Sequence, residues 1–171
     1  MAATDAHSHH STLRERIVEH IFIGDALRSY WRQGVRNVEV LRSEFDAYGY
    51  DIVMVRGRTI RHIQFKTGRN APGKVSIARA LADKPSGCVI WIMVDDALNL
   101  GPFYYFGGAP GSPLPAISEF PSPRRATHNK EGIRPLRQNH CEVPVAQFRQ
   151  VATIEEVLSL LFGPLEASAV Q

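Results

Sequence analysis

The chain has 171 residues, of which 44% are hydrophobic and 22% charged, and its formal net charge is +3. This length suits one domain with a sizeable core, and the composition is ordinary for a globular protein. The small positive excess permits nucleic-acid binding without requiring it. Two cysteines exclude a disulfide framework, and no Cys/His zinc spacing is present. The apolar runs are too short for a membrane span or a secretory signal, so we expect a cytoplasmic protein with no membrane partner.

The first elements are a polar tail and a helix. Residues 1–11 are small, polar and rich in histidine, and we expect a disordered tail there. Residues 12–32 have helical periodicity, and Glu19 lies at the edge of their apolar stripe. We expect this stripe to face the core; its members are Leu13, Ile17, Ile21, Leu27 and Trp31.

Residues 49–68, GYDIVMVRGRTIRHIQFKTG, predict two strands joined by a tight turn. Glycine stands at the first central position of the turn, as a type II′ hairpin prefers. If residues 57–58 form the loop, Asp51 lies directly opposite Gln64. Because side chains alternate faces along a strand, Asp51, Gln64 and Lys66 emerge on one face at one end of the hairpin. Opposed residues have Cβ atoms about 5 Å apart, so the three polar groups converge.

These three side chains suit metal-assisted hydrolysis. The Asp51 carboxylate and the Gln64 carbonyl are hard oxygen ligands, which favour Mg²⁺ over zinc. Lys66 could orient or deprotonate an attacking water, or neutralise charge that develops on a phosphate. A hydrogen-bonded polar patch at the end of a sheet is the structural alternative.

Further elements follow along the chain, and together they predict an α/β domain. A strand at residues 37–42 precedes the hairpin, and a helix at residues 75–83 follows it. The continuous apolar run at residues 88–94 predicts a central strand, and residues 103–106 predict another short strand. The resulting order is αβββαβ, with a mixed central sheet flanked by helices.

The last third of the chain changes character. Residues 107–123 are rich in glycine and proline, so the long loop at residues 107–140 begins with an irregular segment. Residues 142–145 predict a last short strand. A C-terminal helix, capped by Thr153, is predicted at residues 153–162. The domain is therefore predicted to span residues 12–163, and a mobile tail is expected at residues 164–171.

Basic residues dominate the second half of this loop. Their charge can hold phosphates, and Glu131 is the lone acid among them. Two further basic residues, Arg69 and Lys74, follow the hairpin directly and could meet a nucleic-acid backbone. A solvated surface loop, or pairing with acids elsewhere, is the alternative. The candidates in the loop are Arg124, Arg125, Lys130, Arg134 and Arg137.

The spacing D-x12-Q-x-K across a hairpin resembles the PD-(D/E)XK nuclease superfamily, in the Q-x-K variant of Mrr-like restriction enzymes. The longer string SEFDAYGYD…RHIQFK…GCVIWI is similar to a group of bacterial proteins assigned to that superfamily, and the likeness extends from Leu13 to Val94. The resemblance implies a restriction-endonuclease-like core. It also implies a nuclease that uses Mg²⁺ or Mn²⁺, favours DNA over RNA, and could act as a homodimer.

The resemblance assigns roles to four residues. Asp51 matches the metal-binding Asp, Gln64 the Glu/Gln position, and Lys66 the catalytic Lys. The first helix of such proteins often offers an acid to the metal, and Glu19 is the matching candidate. A surface pair with a neighbour such as Arg16 is the alternative for Glu19. Gln64 lacks the charge of Glu, which leaves a second hypothesis: a catalytically inactive nuclease-like fold that binds nucleic acid or protein.

Overall fold

The fold is described from a computed structural model, which defines residues 11–45 and 48–165. The predicted tails at residues 1–11 and 164–171 lie outside these ranges, apart from Ser11, Pro164 and Leu165. Within the described ranges, no helix has both the length and the hydropathy needed to cross a membrane.

Two helices and eight strands make up the described chain. Two short 3₁₀ turns, Arg79–Asp83 and Val145–Gln147, interrupt it. In chain order the helices and strands are α1 (Ser11–Arg32), β1 (Val38–Arg42), β2 (Ile52–Arg56), β3 (Thr59–Gly68), β4 (Lys74–Ala78), β5 (Gly87–Val94), β6 (Leu100–Gly107), β7 (His140–Pro144), β8 (Arg149–Val151) and α2 (Ile154–Phe162).

A six-stranded mixed sheet forms the centre of the fold, in the order β1-β2-β3-β5-β6-β8. The pair β3–β5 is parallel, and every other neighbouring pair is antiparallel. Strands β4 and β7 form a separate two-stranded sheet. The mixed α/β class predicted from the sequence is therefore confirmed.

Hydrophobic cores lie on both faces of the large sheet. One face packs against α1 and α2 through residues such as Phe22, Met54, Ile90 and Leu161. The other face packs against the β4–β7 sheet and the glycine- and proline-rich segment, which contributes Leu114 and Ile117. Cover on both sides explains why β5 is apolar along its whole length.

The hairpin register agrees with the sequence prediction. Val53 pairs with His62 and Ile52 with Ile63 in the antiparallel β2–β3 ladder. One step further, the Asp51 N–H donates to the Ile63 carbonyl at 2.8 Å. Asp51 therefore stands at the open end of the hairpin, level with Gln64.

The helix predicted at residues 75–83 is wrong. Residues 74–78 are strand β4, in which Val75 pairs with Val143 and Ile77 with Cys141, and only a 3₁₀ turn follows. Val75 and Ile77 are fully buried while Ser76 between them is half-buried, which is the two-residue period of a strand. The αβββαβ order consequently lacks its second helix, and a strand with a 3₁₀ turn makes the connection between the parallel strands.

The buried face of α1 also differs from the predicted stripe. Leu13 and Trp31 are 59% and 67% exposed, and Ile17 and Leu27 are exposed as well. The helix has apolar residues on two faces, and the face that carries Phe22 and Tyr30 packs inward. On this face the Phe22 ring packs against the Phe65 ring, with 4.8 Å between the two centroids. The residues buried on this face are Val18, Glu19, Phe22, Ala26, Ser29 and Tyr30.

Candidate functional site

Asp51, Gln64 and Lys66 line one polar cleft of about 530 Å³ at the open end of the β2–β3 hairpin. The structure therefore brings together the three hairpin residues that the sequence places on one face. Residues 137–140 and the turn after β4 also line this cleft. A carboxylate, an amide and an ammonium group thus face one solvent-accessible space.

Gln64 is the buried member of this group, with 5% of its surface exposed. Its Oε1 accepts a hydrogen bond from the Ala78 N–H at 3.3 Å, which fixes which side of the amide is the oxygen. A carbonyl oxygen has two lone pairs, so Oε1 can accept this bond and still face a second partner. Gly49 lies against both residues, and its φ of +71° suits glycine.

Asp51 is exposed, and a backbone group orients its carboxylate. Its Oδ2 accepts a hydrogen bond from the Phe65 N–H at 2.6 Å. This bond holds the carboxylate across the end of the hairpin, between the Gln64 and Lys66 positions of β3. The local strand geometry therefore helps to orient the acid.

A second, smaller cleft of about 210 Å³ adjoins the first. Asp51 and Lys66 line both clefts, and α1 adds Glu15 and Glu19 to the second. Glu19, the acid that the sequence analysis offers from the first helix, therefore lies beside Asp51 and Lys66 but does not line the first cleft with Gln64. Glu15 was missed as a site residue; its position one helical turn before Glu19 is the signal that could have identified it.

Glu19 is also held by two arginines. Arg16 Nη1 donates to Oε2 at 3.1 Å, and Arg42 Nη2 lies 2.9 Å from Oε1 as an ion pair without hydrogen-bond alignment. The Glu19 side chain is only 7% exposed. Both interpretations of Glu19 therefore have a structural counterpart, because it borders the second cleft and pairs with Arg16.

The donor set was compared with the needs of Mg²⁺. Among the described residues, no group of three or more His, Cys, Asp or Glu side chains is arranged to hold a metal ion. Protein sites for Mg²⁺ commonly use one or two carboxylates, with water and substrate phosphate completing the octahedron. The Asp51 carboxylate and the Gln64 carbonyl fit that kind of open site, and they do not fit a closed protein cage.

Two of the predicted phosphate-binding residues are occupied in surface ion pairs. Arg69 pairs with Asp96, which lies just after β5, and Lys74 pairs with Glu142 across the β4–β7 sheet. Exposed pairs of this kind are weak and exchange readily. These two residues lie outside both clefts.

The basic segment reaches the first cleft through its last residue. Arg137 lines the cleft with Asp51, Gln64 and Lys66. The remaining predicted basic residues are exposed and do not line this cleft; they are Arg124, Arg125, Lys130 and Arg134.

Arg79 is a cleft residue that the sequence analysis missed. It lines the first cleft, but its guanidinium group donates to the carbonyls of Ile117 at 3.3 Å and Phe120 at 2.8 Å. Arg79 therefore fastens the glycine- and proline-rich segment beside the cleft. The wrong helix prediction at residues 75–83 hid this role.

Comparisons with protein-family models, curated proteins and solved structures found no match to this chain.

Proposed function

We propose that this protein is a Mg²⁺-dependent nuclease that hydrolyses phosphodiester bonds, with DNA as its substrate. The observation that carries the proposal is the convergence of Asp51, Gln64 and Lys66 on one cleft that Arg137 also lines. This chemistry requires a carboxylate to hold a metal, an amine to stabilise negative charge that develops on the phosphate, and a guanidinium group to bind a neighbouring phosphate.

The element order around the site supports membership in the PD-(D/E)XK superfamily as part of the same proposal. Helix α1, the antiparallel strands β1 to β3 and the parallel strand β5 follow the restriction-endonuclease-like order. Strand β4 and a 3₁₀ turn stand where that order has its second helix. The proposed core is therefore a modified version of that fold.

Each residue has a distinct proposed role. Asp51 and Gln64 would hold the metal, and Glu19 would add negative charge from the α1 side. A bound Mg²⁺ supplies Lewis-acid stabilisation of phosphate charge and lowers the pKa of a coordinated water. Lys66 places a positive charge beside Asp51, where it can orient the attacking water and stabilise the phosphorane. Arg137 binds the neighbouring phosphate by charge-assisted hydrogen bonds.

Location and assembly belong to the proposal as well. A nuclease acting on cellular or incoming DNA would work in the cytoplasm. Two copies in a closed dimer would let two equivalent sites cut both strands of a duplex.

Cleavage of plasmid and single-stranded DNA with Mg²⁺ or Mn²⁺ tests the activity. Asp51→Asn and Lys66→Met should each lower the rate by at least about 100-fold, because each removes a group that acts in the transition state. Asp25→Asn on α1 and Lys84→Met outside the clefts are the matched controls and should cut normally. Cutting that persists undiminished in both cleft variants would rule out this site.

A non-catalytic nucleic-acid or protein-binding module is the second candidate function. It is favoured by the shortage of negative charge at the candidate metal site. Arg16 and Arg42 neutralise the Glu19 carboxylate, and the Gln64 side chain carries no charge. Calorimetric titration with Mg²⁺ and Mn²⁺ separates the two candidates. Absence of metal binding at millimolar concentration, in a protein that still binds DNA, would favour the binding module.

A further inference from the structure

Residues 123–137 form a two-stranded ribbon, here named the basic ribbon. An antiparallel bridge joins Arg124 to Leu136, and the Arg125 N–H donates to the Pro135 carbonyl at 2.8 Å. Asn129 closes the tip, where its Oδ1 accepts from the Ile133 N–H at 2.9 Å. A segment predicted only as a basic loop therefore has a defined, hydrogen-bonded shape.

The basic ribbon is exposed and strongly positive. Every residue from 124 to 134 is exposed, so this part of the chain projects into solvent. Five of the ribbon's residues are Arg or Lys, and no ion pair links them to an acid in the described parts of the chain. Ile133 and Leu136 add exposed apolar side chains, at 54% and 50% exposure.

The space beside the ribbon adjoins the candidate site. A cleft of about 530 Å³ lies against the ribbon and is lined by Arg125, Leu136 and residues 137–140. Those same four residues, 137–140, also line the cleft that contains Asp51 and Lys66. A molecule that contacts the ribbon therefore lies beside the segment that borders the candidate catalytic groups.

We propose that the basic ribbon docks in the major groove of B-form DNA and thereby presents a duplex to the Asp51–Lys66 cleft. This inference rests on the proposed nuclease function and specifies its substrate as double-stranded DNA. The major groove, about 12 Å wide, admits a two-stranded ribbon.

Groove geometry also sets what the ribbon rejects. The major groove of A-form RNA is deep and too narrow for side chains to read. A two-stranded ribbon therefore fits the major groove of duplex DNA and not that of duplex RNA. Arginines on its flanks would hold the two phosphate backbones, and Ile133 near the tip would contact base edges such as thymine methyl groups.

Fluorescence anisotropy in EDTA tests the proposal without cleavage. The probes are a DNA duplex, an RNA duplex of the same sequence and a single strand of the DNA. The DNA duplex should bind at least about tenfold more tightly than the RNA duplex. The double variant Arg125→Ala/Arg134→Ala should bind DNA at least about tenfold more weakly, with a salt dependence shallower by about two counterions. Arg28→Ala/Arg32→Ala on α1 is the matched control for lost charge.

Ile133→Ser separates groove contact from charge. It should weaken DNA binding several-fold while leaving the salt dependence unchanged, because it removes no charge. Equal affinity for both duplexes, or binding by the Arg125/Arg134 variant equal to that of the α1 control, would overturn the ribbon proposal. The variants change exposed side chains, and an unchanged denaturant midpoint will show that they fold.

The two proposals fail in different ways. Lys66→Met should keep the preference for the DNA duplex over the RNA duplex, so loss of cutting with that preference intact concerns the active site alone. If Lys66→Met abolishes cutting while the ribbon variants bind DNA with unchanged affinity, the nuclease proposal is supported and the proposed docking surface is wrong. If binding depends on the ribbon while no DNA is cut with any metal, the docking surface stands without the nuclease.

Discussion

Gln64 accepts a hydrogen bond from the Ala78 N–H, and this contact joins the middle of β3 to the end of β4. It exists because residues 74–78 form a strand in place of the predicted helix. The contact presents the Gln64 carbonyl at a fixed orientation in the wall of the cleft. The same Gln64 oxygen therefore links β3 to β4 and is the candidate metal ligand.

Gln64→Glu should raise Mn²⁺ affinity roughly tenfold, about 1.4 kcal/mol. A carboxylate retains an acceptor for the Ala78 N–H and adds a negative charge beside Asp51. Titration calorimetry with Mn²⁺ measures the change. Gln138→Glu adds the same charge at another residue that lines the cleft and should change the affinity much less.

Gln64→Leu provides the complementary stability measurement. It leaves the buried Ala78 N–H without its acceptor, which should lower the free energy of unfolding by about 1–3 kcal/mol. Urea denaturation measures this loss. A variant as stable as the unmodified protein would show that the Gln64–Ala78 bond does not form in solution.

Gly49→Ala should destabilise the protein more than Gly34→Ala. Both glycines have a left-handed φ, +71° and +77°, so both substitutions share a backbone cost of roughly 1–2 kcal/mol. An added Cβ at Gly49 would overlap Ala78 Cβ, whereas one at Gly34 meets nothing within 4 Å. The difference between the two unfolding free energies, measured in urea, isolates the steric contact. Equal losses would contradict the close packing of Gly49 against β4.

The hairpin could be predicted because its signals are local. The turn at Gly57 fixes the register, and alternation then places Asp51, Gln64 and Lys66 on one face. The cap of α2 is equally local: Thr153 Oγ1 accepts from the Glu156 N–H within four residues.

Strand β4 could not be predicted because its partner is distant. Val75 pairs with Val143 on strand β7. The Lys74–Glu142 contact between the same two strands joins residues that are 68 positions apart in the chain. A short apolar pattern is ambiguous between helix and strand, and long-range pairing decides between them. The two apolar faces of α1 posed the same difficulty, because only packing against the sheet determines that the face with Phe22, and not the face with Ile17, is buried.

Arg61 shows a further limit of sequence analysis, because nothing near it marks it as buried. It is fully buried on β3, and its guanidinium group donates to four backbone carbonyls. Two of these carbonyls are in the last turn of α2, and two are in the glycine- and proline-rich segment. The bonds reach Leu161 at 2.7 Å, Gly108 at 2.9 Å, Ser112 at 3.2 Å and Leu160 at 3.4 Å.

Arg61→Met should lower the free energy of unfolding by about 3 kcal/mol or more. The substitution leaves buried carbonyls without donors and removes a cation from the negative end of the α2 dipole. Urea denaturation measures the loss, and the exposed turn residue Arg58→Met is the control. Arg61→Lys should rescue only part of it, because an ammonium group cannot reproduce the planar fork of donors. Full stability in Arg61→Met would contradict this role.

His62 should make the protein less stable in mild acid. Burial, and secondarily the nearby positive charge of Lys84, lower the pKa of its imidazole below the ordinary 6.5. Its ring packs edge-on against Tyr50, with 5.1 Å between centroids, and its Nδ1 lies 3.2 Å from Ser86 Oγ. The folded protein therefore favours neutral His62 more strongly than the unfolded chain does.

The sign of the pH dependence follows from that difference. Between the lowered folded pKa and 6.5, the unfolded chain binds more protons, so stability falls as the pH falls through this window. Urea denaturation at pH 7.5 and pH 5 should show a smaller acid loss in His62→Gln than in the unmodified protein. Lys84→Met should give an intermediate loss, because it removes the smaller of the two causes. The exposed His128→Gln is the control, and an acid loss in His62→Gln equal to that of the unmodified protein would show that His62 does not titrate in this way.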